Sequence, residues 1–147
     1  MPYVKMTLHV VWATKRRIPY LQKELRTKVI AHIRENARSK GIEIDRLNGY
    51  TDHLHALINL RPDMSVSDAV RLLKGESSYW INKHRLTEQR FAWAEEYYAA
   101  TISDSVLPKI RAYIDNQEQH HSRTHFEVEL RDFLVESGIE FPKSDVG

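Results

Sequence analysis

Apolar and polar residues alternate from residue 3 to residue 13, with Val4, Met6, Leu8, Val10 and Trp12 on one side and Lys5, Thr7 and His9 on the other. Side chains of an extended chain point to opposite faces in turn, so this period of two predicts a long strand, closed by Lys15, Arg16 and Arg17. From Pro19 to Lys40 the period changes: Leu21, Leu25, Val29, Ile33 and Ala37 recur every four positions. That spacing predicts a helix, and Gly41 stands where a left-handed C-terminal cap belongs. Two strands follow, Ile42 to Tyr50 and His53 to Leu60, separated by Thr51 and Asp52 as a tight hairpin and stopped by Pro62.

Ser65 to Asp68 supply N-cap candidates for a second helix reaching about His84, its buried side carrying Val66, Ala69, Val70, Leu73, Trp80 and Ile81. Residues 97 to 103 read as a further strand. Ser103 to Ser105 then introduce a helix that tolerates Pro108 in its first turn and aligns Val106, Ile110, Tyr113 and Gln117 on one face. A last amphipathic helix is expected from the capping-box spacing at Thr124 and Glu127 and the stripe Phe126, Leu130, Phe133 and Leu134, ending near Gly138 before a loose tail. The order of elements predicts an α+β fold: a ferredoxin-like antiparallel sheet with helices packed over it, plus the C-terminal amphipathic helix. Residues 1–123 form the functional unit, and 124–147 are a helix and tail belonging to the same domain.

Composition narrows the picture. A chain of 147 residues that is 41% hydrophobic supports one core. With no cysteine, any metal must be held by nitrogen and oxygen ligands. No apolar run is long enough to span a membrane and the first residues lack a signal-peptide pattern, so a cytoplasmic location is expected. A net charge of +2 argues against broad coating of duplex DNA and leaves room for a local basic groove.

His53 and His55 share one strand face while Leu54, Ala56, Ile58 and Leu60 take the other. Four residues apart on a helix, Tyr113 and Gln117 can approach one ligand together. Two imidazoles and the Gln117 amide oxygen make a divalent-metal set that ligand chemistry alone leaves open to zinc, nickel or cobalt, and Tyr113 beside it is a candidate nucleophile for a phosphodiester. Singly, a strand histidine pair is more often ordinary sheet and a helix tyrosine more often core; the combination and its order carry the reading. Lys15, Arg16, Arg17, Arg71, Lys74, Ser78, Lys83 and Arg85 are candidates for DNA-backbone contacts, and Arg71, Lys74, Ser78 and Asn82 form a stripe along the second helix that is either a phosphate grip or a solvated face. Trp12, Tyr79 and Tyr98 are candidate stacking surfaces. No Gly-rich phosphate loop is present, so no nucleotide cofactor is expected.

These segments resemble the single-tyrosine HUH transposases of small bacterial insertion sequences and the REP-associated tyrosine transposases. The resemblance runs from His9–Lys15 to His121. It rests on His53-Leu54-His55 preceded by Asp52, on Tyr113, Ile114, Asn116 and Gln117, and on the segments Leu73–Ile81 and Phe91–Tyr97 between them. Tyr98 departs from the pattern, since the family often has Gly there. The resemblance implies the ferredoxin-like fold, a magnesium or manganese cofactor, and single-stranded DNA with hairpins as substrate. It also implies strand cleavage and rejoining through a 5'-phosphotyrosine, in a homodimer whose tyrosine helix serves the histidine pair of the other subunit. Two other readings compete. One is a non-catalytic module that binds hairpin nucleic acid, and the other a small-molecule metalloenzyme, which would favour a carboxylate as third ligand.

Overall fold

The computed structural model describes residues 3–121, so the expected C-terminal helix lies outside the described residues. Along the chain run β1 (Thr7–Ala13), a 3-10 turn (Lys15–Arg17), α1 (Lys23–Ser39), β2 (Glu43–Gly49), β3 (His53–Asn59), α2 (Val66–Lys83), β4 (Tyr98–Thr101), α3 (Leu107–Asp115) and α4 (Gln117–His121). The four strands pair antiparallel in the order β2-β3-β1-β4, the ferredoxin-like arrangement predicted from the element order.

Each element forms where a partner or a cap allows it. The first strand is shorter than its alternation predicts. Pairing between β1 and β3 runs only from Thr7↔Asn59 to Ala13↔His53, and Val4 is 46% exposed. Extended backbone without a neighbouring strand gains no ladder. Helix α1 starts at Lys23 because Pro19 to Gln22 stay outside it, with Leu21 buried and its N–H donated to the Thr51 carbonyl at 2.8 Å. It ends in a left-handed cap as expected: Gly41 has φ 74, the Gly41 N–H donates to Arg38 and the Ile42 N–H to Ala37. Ser65 caps α2, its Oγ accepting from the Asp68 N–H at 3.1 Å.

Both faces of the central strands are buried. Leu8, Val10, Trp12, Leu54, Ala56 and Ile58 meet α1 and α2 through Val29, Ile33, Ala37, Val70, Leu73 and Ile81. On the opposite face Leu57 packs with Leu107, Ile110 and Ile114 of α3, and Thr7, His9, His53 and His55 are buried as well. The polar side of the alternation is therefore an interior, roofed by the tyrosine helix. Val106 is 40% exposed, so the packing face of α3 is Leu107, Ile110 and Ile114 rather than the predicted set.

Two stacking candidates are corrected by this packing. Trp12 and Tyr98 are 1% and 6% exposed, set in the interior where a base cannot stack on them, whereas Tyr79 is 64% exposed. Trp80 lies half-buried and stacked on His32, with ring centroids 4.0 Å apart.

Candidate active site

Strand alternation places His53 and His55 on the α3 side of β3, their ring centroids 5.1 Å apart and both side chains fully buried. The hairpin before them is tight. Gly49 approaches β3 so closely that a Cβ built on it falls 2.1 Å from the His53 carbonyl oxygen. Only a residue without a side chain fits that approach.

Asp52 Oδ1 lies 2.8 Å from His53 Nδ1, so in the neutral ring Nδ1–H donates to the carboxylate and Nε2 carries the lone pair. That lone pair faces Gln117 Oε1 across 3.2 Å. A ring N–H donated to the amide oxygen satisfies this contact, and so does a cation shared by the two atoms when the ring is neutral. Two ligands about 2.1 Å from one ion, at a right angle, stand about 3 Å apart, so the observed spacing fits a shared divalent ion. Among the described residues no cluster of three His, Cys, Asp or Glu side chains is arranged for a metal. The third donor of the candidate set is an amide, and the carboxylate favoured by a small-molecule metalloenzyme is not part of it.

His55 is held by a residue that the motif reading left out. His9, on β1, stacks on His55 with centroids 5.1 Å apart, and its Nε2 lies 2.8 Å from His55 Nδ1. One ring donates and the other accepts, which leaves His55 Nε2 as the nitrogen turned away from His9. Burial lowers the His9 pKa to about 4, so His9 is neutral near pH 7. The alternation of β1 put His9 on its polar side. That this side faces the histidines of β3 needed the β1–β3 pairing, which sequence does not display. Tyr98, the departure from the family pattern, packs edge-on against His9 at 5.8 Å.

The ring of Tyr113 stands edge-on to His55 with centroids 5.6 Å apart, and its hydroxyl is shielded from solvent. Gln117 does not continue the tyrosine helix, as had been expected. Helix α3 stops at Asp115, Asn116 turns away with φ −106 and ψ 27, and Gln117 begins α4. The two side chains still converge, through this turn rather than along one helical face. All four residues come from one chain. Within the chain α3 packs on its own sheet, which sets Tyr113 beside the His55 of the same chain.

Polar clasps tie α3 to the edge strand β2. A bulge between Ile44 and Arg46 displaces Asp45 from the ladder. Its carboxylate accepts from Arg111 Nε and Nη2 at 3.0 and 2.6 Å. The Arg111 hydrogen bonds hold the Asp45 carboxyl below the usual range. Asn48 Nδ2 donates to the Ile114 carbonyl at 2.9 Å, and Arg46 pairs with Asp115 at 3.3 Å.

The basic candidates separate into groups. Lys15, Arg16 and Arg17 form a turn at the end of β1, with Arg16 and Arg17 at φ 57 and 54. This turn adjoins the site, since the Thr14 N–H donates to Asp52 O and the Lys15 N–H to Ala92 O. The predicted phosphate stripe on α2 is largely used internally. Lys74 Nζ donates to the carbonyls of Ala94 and Glu95 at 2.6 and 3.1 Å, and burial lowers its pKa. Asn82 clamps Phe91 through both side-chain atoms, Ser78 bonds back to Gly75 O, and Arg71 pairs with Asp68. Lys83 and Arg85 are exposed near the C-terminal end of α2, where Lys83 lies over the Tyr79 ring at 5.9 Å. No helix among the described residues is long and apolar enough to cross a membrane.

A sheet ordered β2-β3-β1-β4, helical on one face and roofed on the other by the helix of Tyr113 over strand histidines, is an architecture shared with solved transposases. The chain superposes on the crystal structure of a Deinococcus radiodurans protein described as a transposase with a TM-score of 0.65 and 29% identity, covering 80% of this chain and 95% of that one. A REP-associated tyrosine transposase bound to a REP hairpin shares the fold at TM-score 0.63 and 18% identity, with 84% and 73% covered. The chain belongs to the IS200-like transposase family, which it matches over residues 2–117. It is 31% identical over 115 residues to the transposase of insertion sequence element IS200 from Salmonella typhimurium, covering 74% of each chain. To the ISDra2 transposase TnpA of Deinococcus radiodurans it is 26% identical over 118 residues, 77% of this chain and 84% of that one.

Proposed function

We propose that this transposase cleaves and rejoins single-stranded DNA at hairpin-bearing ends, with Tyr113 as nucleophile and His53, His55 and Gln117 as ligands of a magnesium or manganese ion. The observation that carries the reading is the convergence of a half-buried tyrosine, two buried imidazoles and an amide oxygen within one chain, the 3.2 Å approach of His53 Nε2 to Gln117 Oε1 above all. A bound divalent ion supplies Lewis acidity, neutralising phosphate charge and lowering the pKa of the phenol.

The chain's own residues do the rest. Asp52 and His9 fix which nitrogen each ligand histidine presents. Packing of α3 on Leu57 brings the Tyr113 ring to His55. The Tyr113 oxygen bonds to phosphorus as the P–O3' bond breaks, and the proton given up by the phenol balances the one gained by the departing 3'-oxygen. A phosphotyrosine and a free 3'-hydroxyl result. The ester keeps the bond energy, so attack by a 3'-hydroxyl reseals a strand without nucleotide fuel. Lys15, Arg16 and Arg17 bind backbone phosphates next to the cleaved bond in this reading, which their position beside the Asp52 hairpin supports. The hairpin held by the structurally similar REP-associated transposase supports a hairpin substrate here.

The test is a denaturing gel of the chain with labelled single-stranded hairpin DNA from the flanks of its gene, with magnesium or manganese, for wild type and Tyr113→Phe. A metal-dependent covalent adduct that is absent from the variant is the expected result. Hairpin binding without any adduct would refute the nucleophile and leave a binding module.

A further inference from the structure

Because the chain breaks direction at Asn116, the tyrosine helix alone does not fix where Gln117 sits. Besides the bond from Gln117 Nε2 to the Tyr113 carbonyl at 3.5 Å, a second tie reaches the short α4 segment. Arg26, near the start of α1, is 5% exposed, a charge almost wholly removed from water. Its Nη2 pairs with Glu118 Oε1, adjacent to Gln117, and its Nη1 donates to the Leu21 carbonyl at 2.9 Å. The guanidinium also lies over the Tyr50 ring, 5.7 Å from the centroid.

Both of those other contacts lead to the histidine hairpin. Leu21 donates its N–H to Thr51 O at 2.8 Å, and the Tyr50 N–H donates to His53 O at 3.0 Å. One buried guanidinium thus touches the segment that carries Gln117 and the hairpin that carries Asp52 and His53. Burying a charge is costly unless its hydrogen bonds are made, so the arrangement is stable only with Glu118 in place.

We infer that Arg26 and Glu118 are positioning residues for the candidate metal site, locking the Gln117 amide oxygen against His53 Nε2. This rests on the metal reading proposed above. A planar guanidinium with several fixed donors suits the task, because it can satisfy Leu21 and Glu118 at once where a lysine ammonium lacks the fork. The periodicity of α1 gave no sign of it, since position 26 lies beside the apolar stripe and its partner is 92 residues away.

The experiment is a titration of manganese into the full chain without DNA, read by loss of the electron paramagnetic resonance signal of the free aquo ion, with melting curves recorded alongside. Glu118→Ala removes the acceptor, and Glu118→Gln keeps a neutral one. Glu118 is half-exposed, so both variants are expected to fold. Positioning predicts manganese affinity weakened about tenfold or more in Glu118→Ala, in the range of ligand-orienting contacts, with Glu118→Gln recovering to within about threefold of wild type. Equal losses in the two variants would mean that only the carboxylate charge matters, and would overturn the inference. So would a lowered melting temperature with unchanged affinity, which marks a merely structural pair. If wild type itself takes up no manganese, the metal reading fails and this inference with it; if only the variants behave as wild type, this inference alone fails.

Discussion

Replacing Gly49 with alanine tests the link between hairpin geometry and the site. The added Cβ would lie 2.1 Å from the His53 carbonyl oxygen and 2.9 Å from the Leu54 Cα, both backbone atoms that cannot rotate away. To reach an ordinary contact of about 3.4 Å, β2 and β3 must part by about 1.3 Å beside His53. That displacement stretches the Tyr50–His53 backbone bond from 3.0 Å past hydrogen-bonding range. Overpacking of about 1–3 kcal/mol plus a lost bond of about 1 kcal/mol gives a stability loss of about 2–4 kcal/mol. A ligand moved by about 1 Å costs on the order of a hundredfold in rate. Urea unfolding measures the first quantity and single-turnover adduct formation the second. Gly75→Ala is the internal control: nothing lies within 4 Å of a Cβ there, so it should stabilise helix α2 by about 0.5–1 kcal/mol. A Gly49→Ala protein with wild-type stability and adduct rate would refute the argument that this close approach sets the position of His53.

Asp45 has its pKa depressed by Arg111, so its contribution to stability is full above the unfolded carboxyl pKa near 3.8 and is lost as pH falls through the folded value. Asp45→Asn should therefore be less stable than wild type at pH 7, with the difference closing below about pH 4 in pH-dependent urea melts. His9→Phe removes the partner of His55 Nδ1, and manganese affinity should fall about 10–100-fold while far-ultraviolet circular dichroism is retained. Lys74→Ala should lower the melting temperature because its ammonium ties down the carbonyls of Ala94 and Glu95, whereas Lys83→Ala should leave melting unchanged and weaken hairpin binding in a salt-dependent way. Backbone amides of α3 should exchange with solvent faster than those of β1 and β3, because its apolar anchor is limited to Leu57, Leu107, Ile110 and Ile114; equal protection in hydrogen-exchange mass spectrometry would contradict this.

What was legible in the chain is what repeats at short range. The fourfold spacing from Leu21 to Ala37, the glycine after it and the Ser65 cap are local signals, and local hydrogen bonding makes them true almost regardless of the rest. The early start assigned to β1 and the unbroken helix from Tyr113 to Gln117 failed for a complementary reason. Whether Val4 belongs to a strand depends on whether a partner reaches it, and β3 ends at Asn59. Whether Asn116 stays helical depends on what holds the segment beyond it.

The candidate site divides along the same line. His53 and His55 share a strand face as the alternation of two dictates, whereas Tyr113 and Gln117, paired by a helical spacing that breaks at Asn116, converge through the turn instead. Their supports follow no such spacing. His9 reaches His55 across 46 residues, Arg111 reaches Asp45 across 66, and Arg26 reaches Glu118 across 92. In sequence each of these looks like an ordinary polar residue, and only the sheet order and the bulge at Asp45 turn them into partners. The stripe on α2 has a second use within the fold. Arg71, Lys74, Ser78 and Asn82 share the spacing of a phosphate grip, but a basic or amide side chain satisfies backbone carbonyls as readily as phosphate oxygens. The 91–95 segment, brought back along α2 by the burial of Phe91 and Trp93, supplies carbonyls for Lys74 and Asn82 from within the chain. Donor spacing on a helix therefore identifies what can be bound, and the tertiary path of the next segment decides how much of that capacity is left for DNA.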